Sequence, residues 1–277
     1  MTTLAPEPIT VNRLRWQLRD SLVLARRNLA HIRQIPEKLL DVTIQPLMFV
    51  LLFAYVFGDV IHLPGGGSYR SYLLSGVAVQ TVAFGMMGPG VSIATDLREG
   101  IVDRFRSLPM ARSAYLLGHL IAELSASLVA LAVLAGAGLI VGWRIDSDLA
   151  HAIAGFGLLT LIVCAMLWLG TMLGVAARSP DAVQGAVFLV VFPLSFLAST
   201  FVPLGGLHGA LRTIAEYNPI TTFCTAVRSL FGNPTALPAH VVWPLQHPVG
   251  CSLLWCALLL AIAAPGTLWL FGRRTQD

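Results

Sequence analysis

HAIAGFGLLTLIVCAMLWLGTMLGVA, residues 151–176, holds no charged side chain over its whole length. As a helix at about 1.5 Å per residue it exceeds the roughly 30 Å hydrocarbon core of a bilayer. The rest of the chain repeats the pattern. No charge occurs between Asp41 and Asp59, Arg70 and Asp96, Asp148 and Arg178, Asp181 and Arg212, or Arg228 and Arg273, and Ser113–Trp143 carries only Glu123. These runs predict an all-α polytopic membrane protein with six transmembrane helices, near 42–58, 71–95, 115–142, 151–176, 182–203 and 250–271. The remaining polar chain is too short for a separate soluble domain. The organisation expected is a cytoplasmic N-terminal segment (1–41), a membrane domain (42–271) and a short tail (272–277).

Of the 277 residues, 56% are hydrophobic and 12% charged, with a net charge of +4. A basic balance can signal nucleic acid, but here the cations gather on one side of the spans. With the N-terminus inside, the inner connections hold all the Lys and Arg except Arg70, Arg144, Arg212 and Arg228, so both termini are expected in the cytoplasm and no nucleic-acid partner is expected. Lys38 is the one lysine, a bias that fits a GC-rich genome. The first 40 residues lack an apolar core with a small-residue cleavage site, so no removable signal peptide is expected. Cys164, Cys224, Cys251 and Cys256 form no CxxC or Cys/His spacing, and no metal site is expected.

Residues 12–33 read as an amphipathic interfacial helix. Leu14, Leu18, Leu22, Ala25, Leu29 and Ile32 line one face and six arginines the other, and Pro36 closes it. In the second run Gly85, Gly88, Pro89 and Gly90 predict a kink. The inner connection, DLREGIVDRFRSLPMARSA at 96–114, holds a short charged helix bracketed by Gly100 and Pro109. In the long outer loop, 204–249, Asn218 as N-cap, Pro219 at the first helical position and Gly232 as stop predict a helix over 219–231. That helix is amphipathic enough to rest on the membrane surface. Trp143, Trp243 and Trp269 fall near span ends. No internal repeat is visible between 42–142 and 151–271.

The chain lacks its own chemistry. A phosphate-cradling loop needs a glycine-rich turn ending in Lys-Ser/Thr, and Lys38 sits in PEKLL. HExxH and GxSxG are absent as well. Long spans with no engine, and a charged inner segment able to dock something, point to a pore-forming subunit driven by a partner rather than an enzyme.

Four stretches carry a family likeness: DVTIQPLMFVLLFAYVFG at 41–58, DLREGIVDRFRSLPMAR at 96–112, RSPDAVQG at 178–185 and AEYNPITTFCTAVRSLFG at 215–232. They resemble the ABC-2 type permeases, and within these the membrane subunits of daunorubicin/doxorubicin-resistance exporters, over essentially the whole chain. The resemblance implies a permease in a bacterial plasma membrane, paired with a second permease, with a copy of itself (a homodimer) as the expected partner. Two separately encoded ATP-binding subunits would carry the ATP and magnesium; this chain would need no cofactor. It further implies that the connection at about 98–110 is a coupling helix seated on the ATPase, with Arg98, Glu99, Gly100, Asp103, Arg104, Phe105 and Arg106 as contacts. The cargo implied is a drug or other amphiphile.

Glu123 is the one carboxylate inside an expected span, and such groups are functional candidates by default. His119 lies one turn earlier on the same face. Two roles are open to Glu123: a site for a cationic amphiphile, or a water-reached group near the cytoplasmic boundary paired with an arginine of the 96–114 connection. Gln80, Thr81, Gln184, Ser195, Ser199 and Thr200 are the polar residues of the second and fifth spans. Interhelical hydrogen bonds are their first expected role and substrate contact, for Gln80 and Gln184 above all, the second. Rival readings are a lipid or glycolipid exporter, an ion-coupled transporter and a membrane anchor without transport.

Overall fold

The structure is a computed structural model that describes residues 36–58, 60–101, 112–238 and 240–274, with 36–43 and 112–115 as backbone. The helix expected over 12–33, and Asp103, Arg104, Phe105 and Arg106 of the coupling segment, lie outside the described residues. Every regular element within them is helical: α1 (Pro36–Val56), α2 (Tyr69–Gly85), α3 (Met87–Arg98), α4 (Arg112–Val141), α5 (Leu149–Ala176), α6 (Pro180–Leu197), α7 (Gly209–Tyr217), α8 (Pro219–Phe231), α9 (Trp243–Gln246) and α10 (Pro248–Arg274).

Among the described residues, five stretches are long and apolar enough to cross a membrane: Tyr69–Arg98, Leu116–Val141, Leu149–Ala176, Pro180–Leu197 and Pro248–Arg274. The first expected span is instead a shorter apolar helix, Ile44–Val56. It forms the end of the 21-residue α1, whose full length is about 31 Å. Pro36 opens α1; a proline in the first turn costs no hydrogen bond, because that N–H has no helical acceptor.

The kink in the second span is a full break. α2 ends at Gly85 and α3 begins at Met87. Pro89 has no N–H to donate to the Gly85 carbonyl, which interrupts the ladder there. The glycines serve close packing against α5. A Cβ on Gly170 would collide with the Met86 carbonyl, and one on Gly174 with the Gly90 carbonyl; one on Gly90 would lie 2.9 Å from the Gly170 carbonyl. The spacing Gly170-xxx-Gly174 is that of a small-residue helix contact, in which backbones approach closely enough to gain dispersion energy without side chains between them. Near the 98–112 connection, Ile93, Leu116, Val175 and Phe271 form a small apolar cluster that joins α3, α4, α5 and α10.

α6 stops at Leu197, short of the expected end at 203. Ser199 and Thr200 therefore belong to a turn beyond the span rather than to the span itself. The helix over 219–231 forms with the caps read from sequence: Asn218 Oδ1 accepts from the Ile220 N–H at 2.9 Å, and Gly232 is left-handed at φ 69°. Its position differs from the expectation. Every residue of α8 except Pro219 and Ser229 is recorded as buried or capped inside the bundle, against α2, α5 and α10. The polar positions that suggested a surface helix, Thr221, Thr225 and Arg228, find their partners inside the protein.

Candidate substrate cavity and its polar clamp

A cavity of about 560 Å³ lies among α1, α2, α3, α4 and α6. That volume is in the range that holds a drug-sized molecule. Antiparallel connection brings the right ends together: the wall takes Gln45–Phe49 of α1, Gln80–Gly85 of α2, Met87–Asp96 of α3, Glu123–Ser127 of α4, and Gln184 with Phe188 of α6. All are the portions nearest the 98–112 connection.

Three of the four residues expected on a substrate pathway meet here. Glu123 is 7% exposed, and its Oε2 would lie 3.0 Å from a Cβ on Gly88, so glycine at the helix break makes room for the carboxylate. Gln80 is 5% exposed, and its side-chain amide has no hydrogen bond to protein among the described residues. Gln184 lines the opening from α6. His119, the fourth, is buried on α4 but does not line the cavity. Of the other polar candidates, Thr81 lines the wall and bonds its own helix at Val77 O, while Ser195 is buried with no partner for its hydroxyl among the described residues.

Sequence reasoning missed a second carboxylate. Asp96 belongs to the last turns of α3 and lines the cavity, rather than starting the 96–114 connection. Its signal was Ser92 and Asp96 at a spacing of four, with Thr95 beside them, which share one face of a helix. Phe49, Phe84 and Phe188 supply aromatic wall, and Phe84 and Phe188 rings lie 5.9 Å apart. No Lys, Arg or His among the described residues lines the space. An acidic, partly aromatic chamber suits a molecule with an apolar body and a positive head.

Beyond Asp96 the helix soon stops. α3 ends at Arg98, the Glu99 N–H bonds Thr95 O at 2.9 Å, and Gly100 adopts φ 68°, the left-handed stop expected of it. Arg98 and Glu99 are exposed beside it.

At the other end of the bundle sits a clamp centred on Arg228, which the sequence reading counted only as an outer-loop cation. Its side chain is fully buried. Nε donates to Tyr72 O at 3.0 Å, Nη1 to Ser199 Oγ at 3.2 Å and Nη2 to Thr200 O at 3.1 Å. Tyr72 Oη donates to Ser199 O at 2.8 Å, and Tyr69 Oη to Phe201 O at 3.0 Å. Thr221 Oγ1 accepts from the Ser199 N–H at 3.3 Å, and Asn218 Nδ2 donates to Leu194 O at 2.7 Å. Gly76 is required by this packing, since a Cβ there would collide with Thr200 O. Asn233, just past α8, accepts from both Ser75 Oγ and Trp143 Nε1 at 2.8 Å and donates to Arg144 O at 2.9 Å.

Comparison with known proteins agrees with this architecture. Residues 20–231 match the family described as ABC-2 type transporter. The chain is 31% identical over 245 residues, 88% of its length and 83% of the relative's, to the daunorubicin resistance ABC transporter permease protein DrrB1 of Streptomyces coeruleorubidus. It is 28% identical over 204 residues, 73% and 69% of the two chains, to the doxorubicin resistance ABC transporter permease protein DrrB of Mycobacterium tuberculosis. To the putative transport permease ycf38 of Porphyra purpurea it is 26% identical over 218 residues, 76% and 73% of the two chains.

Proposed function

Because the chain belongs to the ABC-2 type transporter family, as a multi-pass permease subunit that carries no ATPase itself, we propose that it exports drugs or other amphiphilic compounds on ATP hydrolysed by a separate subunit. The observation that carries the reading is the acidic, aromatic-walled cavity at Glu123 and Asp96. Among the described residues the wall carries carboxylates and no basic side chain, a lining that suits a cationic amphiphile better than an anionic lipid. Two relatives are named for daunorubicin and doxorubicin resistance, which supports the same direction.

In this reading α1 supplies a sixth crossing, both termini lie in the cytoplasm of a bacterium, and a second copy of the permease completes the path. Two ATP-binding subunits dock on the segment from Arg98, Glu99 and Gly100 through Asp103, Arg104, Phe105 and Arg106. Gln80, Glu123 and Gln184 contact the cargo, while His119 supports α4 from behind the wall.

The test is reconstitution with an ATP-binding subunit that co-purifies with this chain. ATP-dependent accumulation of doxorubicin in inside-out vesicles, with doxorubicin-stimulated hydrolysis, is the expected result. A permease that retains no ATPase through purification and accumulates nothing rejects the reading.

A further inference from the structure

We propose that Phe201 is the outer gate of the cavity, and that the gate opens by movement of α1 while the turn carrying Phe201 stays fixed. The inference rests on the exporter reading above. The α1 wall of the chamber is backed by aromatic rings. Phe49 belongs to that wall, and the Phe201 ring stacks 5.6 Å from Phe49 and 4.5 Å from Phe53 one turn further along α1. Phe201 is 4% exposed and lies behind Phe49, outside the lining itself.

The two sides of this stack are anchored very differently. On one side, the 198–201 turn is held through its own backbone by Tyr69, Tyr72, Thr221 and Arg228. Moving it would strand buried carbonyls and a buried guanidinium, which is expensive. On the other side, no side-chain hydrogen bond joins Ile44–Val56 to another helix among the described residues; apolar contacts and the Arg70 guanidinium, 5.6 Å from the Tyr55 ring, hold it. Stacked rings can separate without leaving any polar group unpaired. Pro46, in the cavity wall, also withholds a donor from the α1 ladder and gives the outer part of the helix a point to bend about. The weak side is therefore the side that moves.

Two measurements test this in protein carrying its ATPase subunit, with the four native cysteines replaced by alanine. The first needs no transport: with Ala126→Cys in the cavity wall, a membrane-impermeant maleimide is applied from the outer face. Phe201→Ala should raise the labelling rate about ten-fold or more, while Phe196→Ala, a ring 5.3 Å away on the exposed side, should change it by less than about two-fold. Equal rates in the parent and Phe201→Ala overturn the gate even if the exporter reading stands.

The second links Phe53→Cys to Phe201→Cys with a short bifunctional methanethiosulfonate. ATP-dependent doxorubicin uptake into inside-out vesicles should fall about ten-fold or more and return on dithiothreitol. Linking Ser199→Cys to Thr221→Cys, which ties the turn to α8, should leave uptake within about two-fold of that of the same variant before linking. Uptake that persists through the first link, or is arrested by the second, overturns the moving α1. Absence of uptake in the parent rejects the exporter reading, whereas the labelling result still decides the gate.

Discussion

The guanidinium carbon of Arg228 lies 3.4 Å from the centroid of the Tyr72 ring, while its Nε donates to the carbonyl of the same residue at 3.0 Å. One side chain thus grips another at both ring and backbone, across two helices. No carboxylate forms an ion pair with Arg228 among the described residues. The buried charge is solvated instead by a ring face and by the oxygens of Tyr72, Ser199 and Thr200, and five fixed N–H donors are what allow this.

Lysine cannot reproduce that fork. Arg228→Lys should cost about 2–4 kcal/mol, because it leaves buried carbonyls without donors. Tyr72→Phe, which removes only the bond to Ser199 O, should cost about 1 kcal/mol. Thermal unfolding in detergent, followed by tryptophan fluorescence, should place the lysine variant well below the phenylalanine variant; the reverse order would contradict the clamp.

The glycine seam between α3 and α5 makes a position-specific prediction. Gly170→Ala and Gly174→Ala each force a methyl into a carbonyl and should destabilise by about 1–3 kcal/mol or displace α3. Gly157→Ala and Gly185→Ala meet nothing within 4 Å and should be neutral or slightly stabilising. Yield of monodisperse protein and its melting temperature would separate the two pairs.

Glu123→Gln and Asp96→Asn keep size and remove charge. Each should raise the KM for doxorubicin about ten-fold, with smaller change in kcat, as expected for lost ground-state binding of a cation. Uptake of a neutral amphiphile should be unaltered. Equal transport of both probes by both variants would take the carboxylates out of cargo recognition.

Exchanging the charges of the coupling segment, Asp103→Arg with Arg104→Asp, should leave membrane insertion intact and uncouple ATP hydrolysis from uptake. Normal uptake at a normal ATP cost would show that this segment does not transmit force.

Much of the fold was legible because its signals are local. Charge-free length marks the spans, Pro89 and its glycines mark the break after α2, and Asn218-Pro219 with Gly232 delimit α8 to the residue. What was not legible depends on tertiary partners. An amphipathic helix looks the same whether water or other helices satisfy its polar side, so α8 read as a surface helix although Arg228 and its threonines are bonded within the bundle. Asp96 read as the start of a loop because charge usually ends a span; only the neighbouring helices turn its face into a cavity wall. Glu123 stood out as the lone carboxylate of a long run, and was found. His119, one turn away, shared its helix face in projection, yet it is buried without lining the cavity.

The burial of α8 has a practical side. The connection between α6 and α10 is long in sequence, but its middle third is interior and tethered to Leu194, Ser199, Thr200 and Tyr72. An antibody raised against a synthetic peptide of residues 219–231 would find no epitope on the intact molecule, and a tag or fluorophore inserted there would wreck the fold. Immunogens and labels for this end of the molecule belong at 205–214 or around Trp243, which are largely exposed.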